Sequence, residues 1–351
     1  MLTSFLVLEI TALISLIWAL KFKITKLTWI TMLIVTILNA GYVYWLMPVP
    51  TLSQLVMPVA VESAIVVVWA LITGASAQVV QRVTKRGTHI SLEGLTIWPF
   101  IIPIVAFLIS LGAGVSQALT VRPMYNSVQA TVKKEAPLTK DDQPIALSAQ
   151  ASQNMMKKAF SQVPDSSMYR LGDLSAQYIN GKPYYVAPVE FNGFMSWLMN
   201  RTLPGYFIIS ATDINDTAHF VKEKLDYSET SWFSHNIARK IYMRNPKYAQ
   251  VGEPILEIDN NDQAYWVQTL LNVRWAGQLM YDDIHVSLTN ADTGKTTVYS
   301  TKDLPAWVDA GVSPEAATRM NRAYGNPYPF NFRHKNQIKP TENGSESGVT
   351  P

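Results

Sequence analysis

Glu9, Asn39 and Glu62 are polar residues set inside long apolar runs. A charge is expensive in such surroundings and is kept for handling protons or ions, or for fixing helix packing. Counted inward from the ends of their runs, Glu9 and Glu62 lie about six or seven residues deep, about 10 Å at helical rise, with Asn39 slightly deeper. Three polar groups at one level predict a cluster in which one carboxyl stays neutral, because two carboxylates repel in a low dielectric.

Other constellations point away from catalysis. The five histidines, His89, His219, His235, His285 and His334, never fall at a metal-ligand spacing such as H-x-x-x-H. No nucleophile elbow, phosphate-cradling loop or dinucleotide fingerprint occurs. Asp292-Thr-Gly294 has the letters of an aspartic protease but the setting of a hairpin turn, where Gly serves the backbone. The acidic run Asp259 to Asp262 lacks the spacing and bidentate Glu of an EF-hand and is read as a solvated turn. No cofactor or metal is expected. Tyr265, Trp266 and Trp275 lie in aromatic strands, and if the chain acts by binding, they are the candidate partner-contacting residues.

These residues must be positioned by two unlike halves. The chain has 351 residues, and its first 118 or so hold four apolar runs: Leu2 to Leu20, Leu27 to Met47, Val56 to Ile72 extending to about Ala77, and Ile97 to Leu119. Each approaches the length of about 20 residues that a helix needs to cross a bilayer. Lys21, Lys23 and Lys26 follow the first run and Arg82, Lys85 and Arg86 the third, whereas the other loops lack cations. The positive-inside rule then predicts both termini outside, with everything from about Thr120 exported. A cleaved signal peptide, the rival reading of the first run, lacks a basic start and a small-x-small cleavage site. Tyr42, Tyr44, Trp45, Trp98 and Phe100 sit at span ends as interfacial anchors would.

The net charge of +3, with basic residues scattered apart from Arg333 to Lys339, gives no nucleic-acid signature. Cysteine is absent, which excludes disulfides, thiolate catalysis and cysteine metal sites. Residues 120–166 read as a stalk, interrupted by a short helix around Ala149 to Phe160. Thr341 to Pro351 reads as a disordered tail. Asn326 to Phe332 reads as a surface strap.

Between stalk and tail the pattern turns to short strands. An internal repeat pairs Leu174-Ser-Ala-Gln-Tyr-Ile-Asn-Gly-Lys-Pro-Tyr-Tyr-Val186 with Ile255-Leu-Glu-Ile-Asp-Asn-Asn-Asp-Gln-Ala-Tyr-Trp-Val267, and Gly205 to Asp213 with Ile284 to Asp292. Each copy predicts a hairpin, turning at Asn180-Gly181 or at Asp259 to Asp262. A helix capped by Ser228 and running through Trp232, Phe233, Ile237, Ile241 and Tyr242 to Asn245-Pro246 is predicted between the copies.

The strand ending in Asn290-Ala-Asp-Thr-Gly-Lys295, continued by Thr296 to Ser300, resembles the PepSY type of extracytoplasmic module. Ser234 to Lys240, Glu257 to Val267 and Leu304-Pro-Ala-Trp-Val-Asp309 resemble bacterial and phage-encoded membrane proteins of unassigned function. The likeness covers about Pro204 to Phe330. It implies a helix packed on a small antiparallel sheet, and no chemistry.

The expected architecture is a membrane all-α four-helix bundle (1–119), a stalk (120–166), an α+β soluble domain of two PepSY-like repeats (167–227 and 228–332) and a tail (333–351). The expected role is a non-catalytic binding or scaffold protein of the bacterial envelope, in a multi-pass inner membrane. Its expected partners are the lipid bilayer and an envelope protein or peptide, without nucleic acid. The alternatives are a small ion- or solute-coupled transporter built on Glu9, Asn39 and Glu62, and a phage-encoded protein that modifies the host envelope.

Overall fold

The computed structural model describes residues 6, 8, 9, 25–70, 98–128 and 145–325. The stretches 71–97 and 326–351, which hold the second basic loop, the strap and the tail, lie outside the described residues. The chain divides into two compact units, Met1–Thr120 with Val273–Gln278, and Val121–Asn272 with Leu279–Pro351.

The first unit is helical: α1 (Thr25–Leu46), α2 (Leu52–Ala70) and α3 (Trp98–Leu119). α2 packs along α3. The tip Val273–Gln278 is tied in by Leu52 N–H donating to the Trp275 carbonyl (2.8 Å) and Gln117 Nε2 donating to that of Gly277 (3.0 Å). Leu33 and Ile37 of α1 and Leu108 and Leu111 of α3 remain exposed.

The expectation of a four-helix membrane bundle, and with it the multi-pass inner-membrane location, is overturned. Among the described residues no helix is long and apolar enough to cross a membrane. A crossing needs about 20 apolar residues in unbroken helical succession. The described part of the first run holds only Leu6 and Leu8 as helix, with Glu9 already in a turn. α1 opens on Thr25-Lys26 and carries Asn39, α2 contains Pro58 and Glu62, and α3 contains two prolines and closes on Gly112, Gly114, Ser116 and Gln117. The transporter alternative rested on the same crossing helices.

The second unit is α+β. After α4 (Arg122–Ser127), α5 (Ala149–Ala159) leads into a five-stranded antiparallel sheet of β1 (Tyr169–Leu171), β2 (Ser175–Ile179), β3 (Lys182–Phe191), β4 (Leu203–Ser210) and β5 (His219–Leu225), with α6 (Phe194–Asn200) between β3 and β4. β1 and β2 pair with successive stretches of β3, so β2 to β5 form a meander. α7 (Ile237–Arg244) then leads into a second antiparallel meander, β6 (Ala249–Ile258), β7 (Ala264–Val273), β8 (Leu279–Asn290) and β9 (Thr296–Ser300), closed by α8 (Pro314–Gly325). Helix followed by four-stranded meander thus occurs twice.

Turn chemistry explains the strand ends. Asn180 and Gly181, both at positive φ, make the two-residue β2–β3 turn. The wider β6–β7 turn is held by the Asp259 carboxylate, which accepts from the N–H groups of Asn261 (2.8 Å) and Gln263 (2.9 Å). At the β8–β9 turn, Gly294 has φ +67°, and a Cβ there would come within 2.4 Å of the Tyr227 ring. Gly is therefore required twice over.

α7 is shorter than predicted. It starts at Ile237, capped by Asn236, whose side chain accepts from Arg239 N–H (3.1 Å). Ser228 instead caps a local turn, accepting from Ser231 N–H (3.0 Å). Phe233 at φ +53° breaks the helical path between them.

One core draws on both sheets and α7: Val186 and Tyr206 from the first meander, Leu256 and Trp266 from the second, and Ile237 and Ile241 from the helix. β2 also donates side chains to β6, with Gln177 Oε1 accepting from Ile258 N–H (2.9 Å) and Ser175 Oγ donating to the Leu256 carbonyl (3.3 Å). The opposite face of the first sheet is covered by α5 through Met156, within the stretch that the sequence assigned to a stalk. The opposite face of the second is covered by Leu304, Trp307 and Val308. That covering segment is clasped by Glu257, whose buried carboxylate accepts from Asp309 N–H (3.0 Å) and Ala310 N–H (2.7 Å). Truncating the shared core at Trp266→Ala is expected to destabilise the second unit by about 3–5 kcal/mol, measured as denaturant unfolding followed through tryptophan fluorescence.

Candidate functional site

α6 reads Phe-Met-Ser-Trp-Leu-Met-Asn, and only Ser196 and Trp197 of it are buried. Seven residues make a helix too short to persist in water by itself. Trp197, 1% exposed in the shared core, pins it down. Arg201, at φ +59°, ends the helix with its N–H on the Trp197 carbonyl (2.8 Å), and its guanidinium lies 4.5 Å from the indole centroid. The remaining side chains face outward, with Met195 59% and Met199 67% exposed beside Phe194 and Leu198.

A second segment completes this surface. Ser228 and Asn236 form a parallel bridge that closes the loop between them, and Phe233 stands out from that loop, 44% exposed. Ring centroids lie 5.0 Å apart for Phe194 and Trp232, 6.4 Å for Phe194 and Phe233, and 5.7 Å for Trp197 and Phe233. A bulky residue at positive φ stores about 1–3 kcal/mol and persists only where its surroundings hold it. Phe194, Met195, Leu198, Met199 and Phe233 therefore make one apolar platform on a rigid underlayer.

The same two segments carry acids at their other ends, Glu190 before Phe191 and Glu229 before Thr230. They are stitched together by Phe191 N–H donating to Thr230 Oγ1 (3.0 Å). Glu190 is paired with Arg170 at 2.8 Å. Burial raises its carboxyl above the ordinary range, while Arg170 pulls it back. Burial, reinforced by the negative charges of Glu253, Glu190 and Asp173, pushes Glu229 up to about 8. Its Oε1 is buried without a hydrogen-bond partner among the described residues.

On the far side of the loop, His235 Nδ1 donates to the Asp226 carbonyl (3.0 Å) while its ring stacks on Tyr227, centroids 5.4 Å apart. Lys240 Nζ lies 4.6 Å from the Tyr227 centroid. Thr202 Oγ1 donates to the Asp226 carboxylate (2.7 Å), and Lys224 reaches Asp292 at 3.1 Å. These contacts brace the loop and set no base against a nucleophile.

The sequence-proposed residues distribute differently. Glu9 accepts from Asn39 Nδ2 (3.1 Å) and from Thr36 Oγ1 (3.0 Å), a partner that the sequence reading did not name. Asn39 is fully buried, with Oδ1 unpartnered among the described residues. Glu62 lies on α2, and its side chain is outside the described set. Trp266 is 2% exposed and donates its indole N–H to the Tyr227 carbonyl (2.7 Å), as a core residue. Tyr265 points to the opposite face of β7, against Trp307 at 5.1 Å. Trp275 is exposed at the β7–β8 tip, in the other unit.

The Asp292-Thr-Gly294 triplet forms the β8–β9 turn, with Asn290 Oδ1 accepting from Thr293 N–H (2.8 Å). Among the described residues no group of three or more His, Asp or Glu is arranged to hold a metal ion.

The platform escaped the sequence reading because α6 has no polar stripe to mark its helical period. The available signal was a dense apolar pair of doublets, Phe194-Met195 and Leu198-Met199, just after Gly193. No family model matches the chain, and no curated protein or solved structure proved significantly similar to it.

The raised Glu229 carboxyl sets a pH dependence. Its ordinary value is 4.5, so between about pH 4.5 and about pH 8 the folded chain holds more protons than the unfolded one, and stability falls as pH rises. Glu229→Gln is expected to remove this component. The drop in melting temperature between pH 5 and pH 8 should be smaller in the variant than in the parent, as followed by differential scanning fluorimetry.

Proposed function

We propose that the protein acts by binding, taking up an apolar segment of a partner protein on the platform of Phe194, Met195, Leu198, Met199 and Phe233. The supporting observation is that this surface is apolar, exposed and held over a buried indole by a strained loop. Fully burying a Leu, Met or Phe side chain contributes about 1.5–3 kcal/mol, and these five are on average about half covered already. A partner that covers the rest gains several kcal/mol. Little ordering opposes it, because the platform is already set.

Methionine suits such a role, since its unbranched thioether adapts to differing partner shapes. The PepSY-like reading remains compatible, supported by a helix and a four-stranded meander occurring twice. The binding reading calls for no cofactor and no reaction.

Panning the full chain against a random peptide display library tests it. Enriched peptides should bind the parent and lose at least about tenfold in affinity on Leu198→Asp with Met199→Asp, while far-UV circular dichroism of that variant stays parental. Enriched peptides indifferent to the double substitution would exclude the platform as the binding surface.

A further inference from the structure

Resting on the platform reading, we propose that the segment taken up carries an aspartate or glutamate beside its apolar anchors, and that the Arg201 guanidinium receives this carboxylate at the platform's edge. Arg201 is exposed, yet its side chain is tethered at two points. Cζ lies 4.5 Å from the Trp197 ring centroid, and Nε donates to the carbonyl of Leu198 (3.4 Å), itself a platform residue. The two Nη groups, which complete the fork that grips a carboxylate, have no partner among the described residues. The acid beside it is already committed. Asp226 accepts from Thr202 Oγ1 (2.7 Å) on one oxygen and from Lys224 on the other.

The ring geometry sets the reach. Trp197 lies 5.7 Å from Phe233 between ring centroids, so the guanidinium is within about 10 Å of the Phe233 ring. That is about two turns of helix or about three extended residues. A partner that covers Leu198 therefore also reaches the guanidinium bonded to its carbonyl. A guanidinium cannot shed its charge at any working pH. An apolar group laid over it would strand an unpaired charge and a second cation would be repelled, whereas a carboxylate pairs with it. Because the ring and the Leu198 carbonyl already hold the fork, pairing costs little further ordering.

The test uses three synthetic peptides of about 18 residues, five turns of helix, capped at both ends to remove the terminal charges. All share one Leu/Phe face and differ at a single site within two turns of it, occupied by Glu, Gln or Lys. Titrated against the full chain by fluorescence anisotropy, they should rank Glu over Gln over Lys, with about threefold between Glu and Gln at low salt. The gap should narrow as salt is raised. Arg201→Gln should bring the Glu and Gln peptides to one affinity. Arg201→Lys, which keeps the charge without the planar fork, should retain a smaller preference.

The salt series on the parent protein remains decisive should the Arg201 variants fold poorly. Equal affinities for the Glu and Gln peptides, or a preference for Lys, would overturn the charge assignment alone. A Gln peptide with a free C-terminal carboxylate that outcompetes the Glu peptide would move the anion to a chain end and overturn the side-chain assignment. Sedimentation of the parent on phosphatidylglycerol vesicles, lost on Leu198→Asp with Met199→Asp, would give the surface to lipid instead. No binding of any peptide would bring down the platform reading as well.

Discussion

Ile237 and Ile241 lie fully buried where both sheets present their apolar faces, and everything else in the second unit is arranged around that meeting. Neither meander could dry its inner face alone. On that side the first has only the short α6, which contributes the single indole of Trp197, and the second has its outer face occupied by Leu304 to Val308. α7 fills the junction, and a buried hydrophobic side chain of this size is felt to the last methylene in a close-packed interior. The side-chain bridges from Gln177 and Ser175 to the β6 backbone fix the register in which the halves come together.

The loop that enters α7 inherits this rigidity. Its two ends are bridged at Ser228 and Asn236, its base is bonded to β3 through Thr230, and its flank is braced by the stacked Tyr227 and His235. Phe233 can be kept in an unfavourable backbone region because so many contacts around it are already satisfied. An apolar surface normally hides itself by collapse. Here collapse is denied, since Trp197 already fills the space beneath and α6 cannot sink further.

Much of the strand order was legible because turns obey local rules. Asn180-Gly181 and Asp259 to Asp262 announce hairpins through backbone geometry that few residues tolerate, and alternation along β7 separates Trp266 and Leu270 from Val267 and Leu271. Sequence periodicity extends the helix preceding β6 too far, because it registers Trp232, Phe233 and Ile237 as one stripe and is blind to the Asn236 cap that starts the helix afresh. Aromatic residues misled in the opposite sense. Trp266 reads as a contact residue in the sequence, yet its indole is spent on the Tyr227 carbonyl inside the core.

The apolar runs of the first 119 residues carried the strongest signal in the chain and the one that the structure corrected most. Hydropathy sums over a window, whereas a crossing needs one long helix that is apolar throughout, and the 19 residues of α2 include Pro58 and Glu62. Glu9 accepts a hydrogen bond from Asn39 across the two runs (3.1 Å).

Met195 and Met199 are the most open side chains on α6, and a thioether in that setting is a ready target for peroxide. Conversion to sulfoxide would replace two soft, greasy tips with polar, chiral ones while leaving the indole beneath untouched. The fold would survive the lesion and the apolar character of the platform would not. With no cysteine in the chain to intercept oxidants first, the redox history of a sample becomes a variable of its behaviour, reversible only where a sulfoxide reductase is at hand.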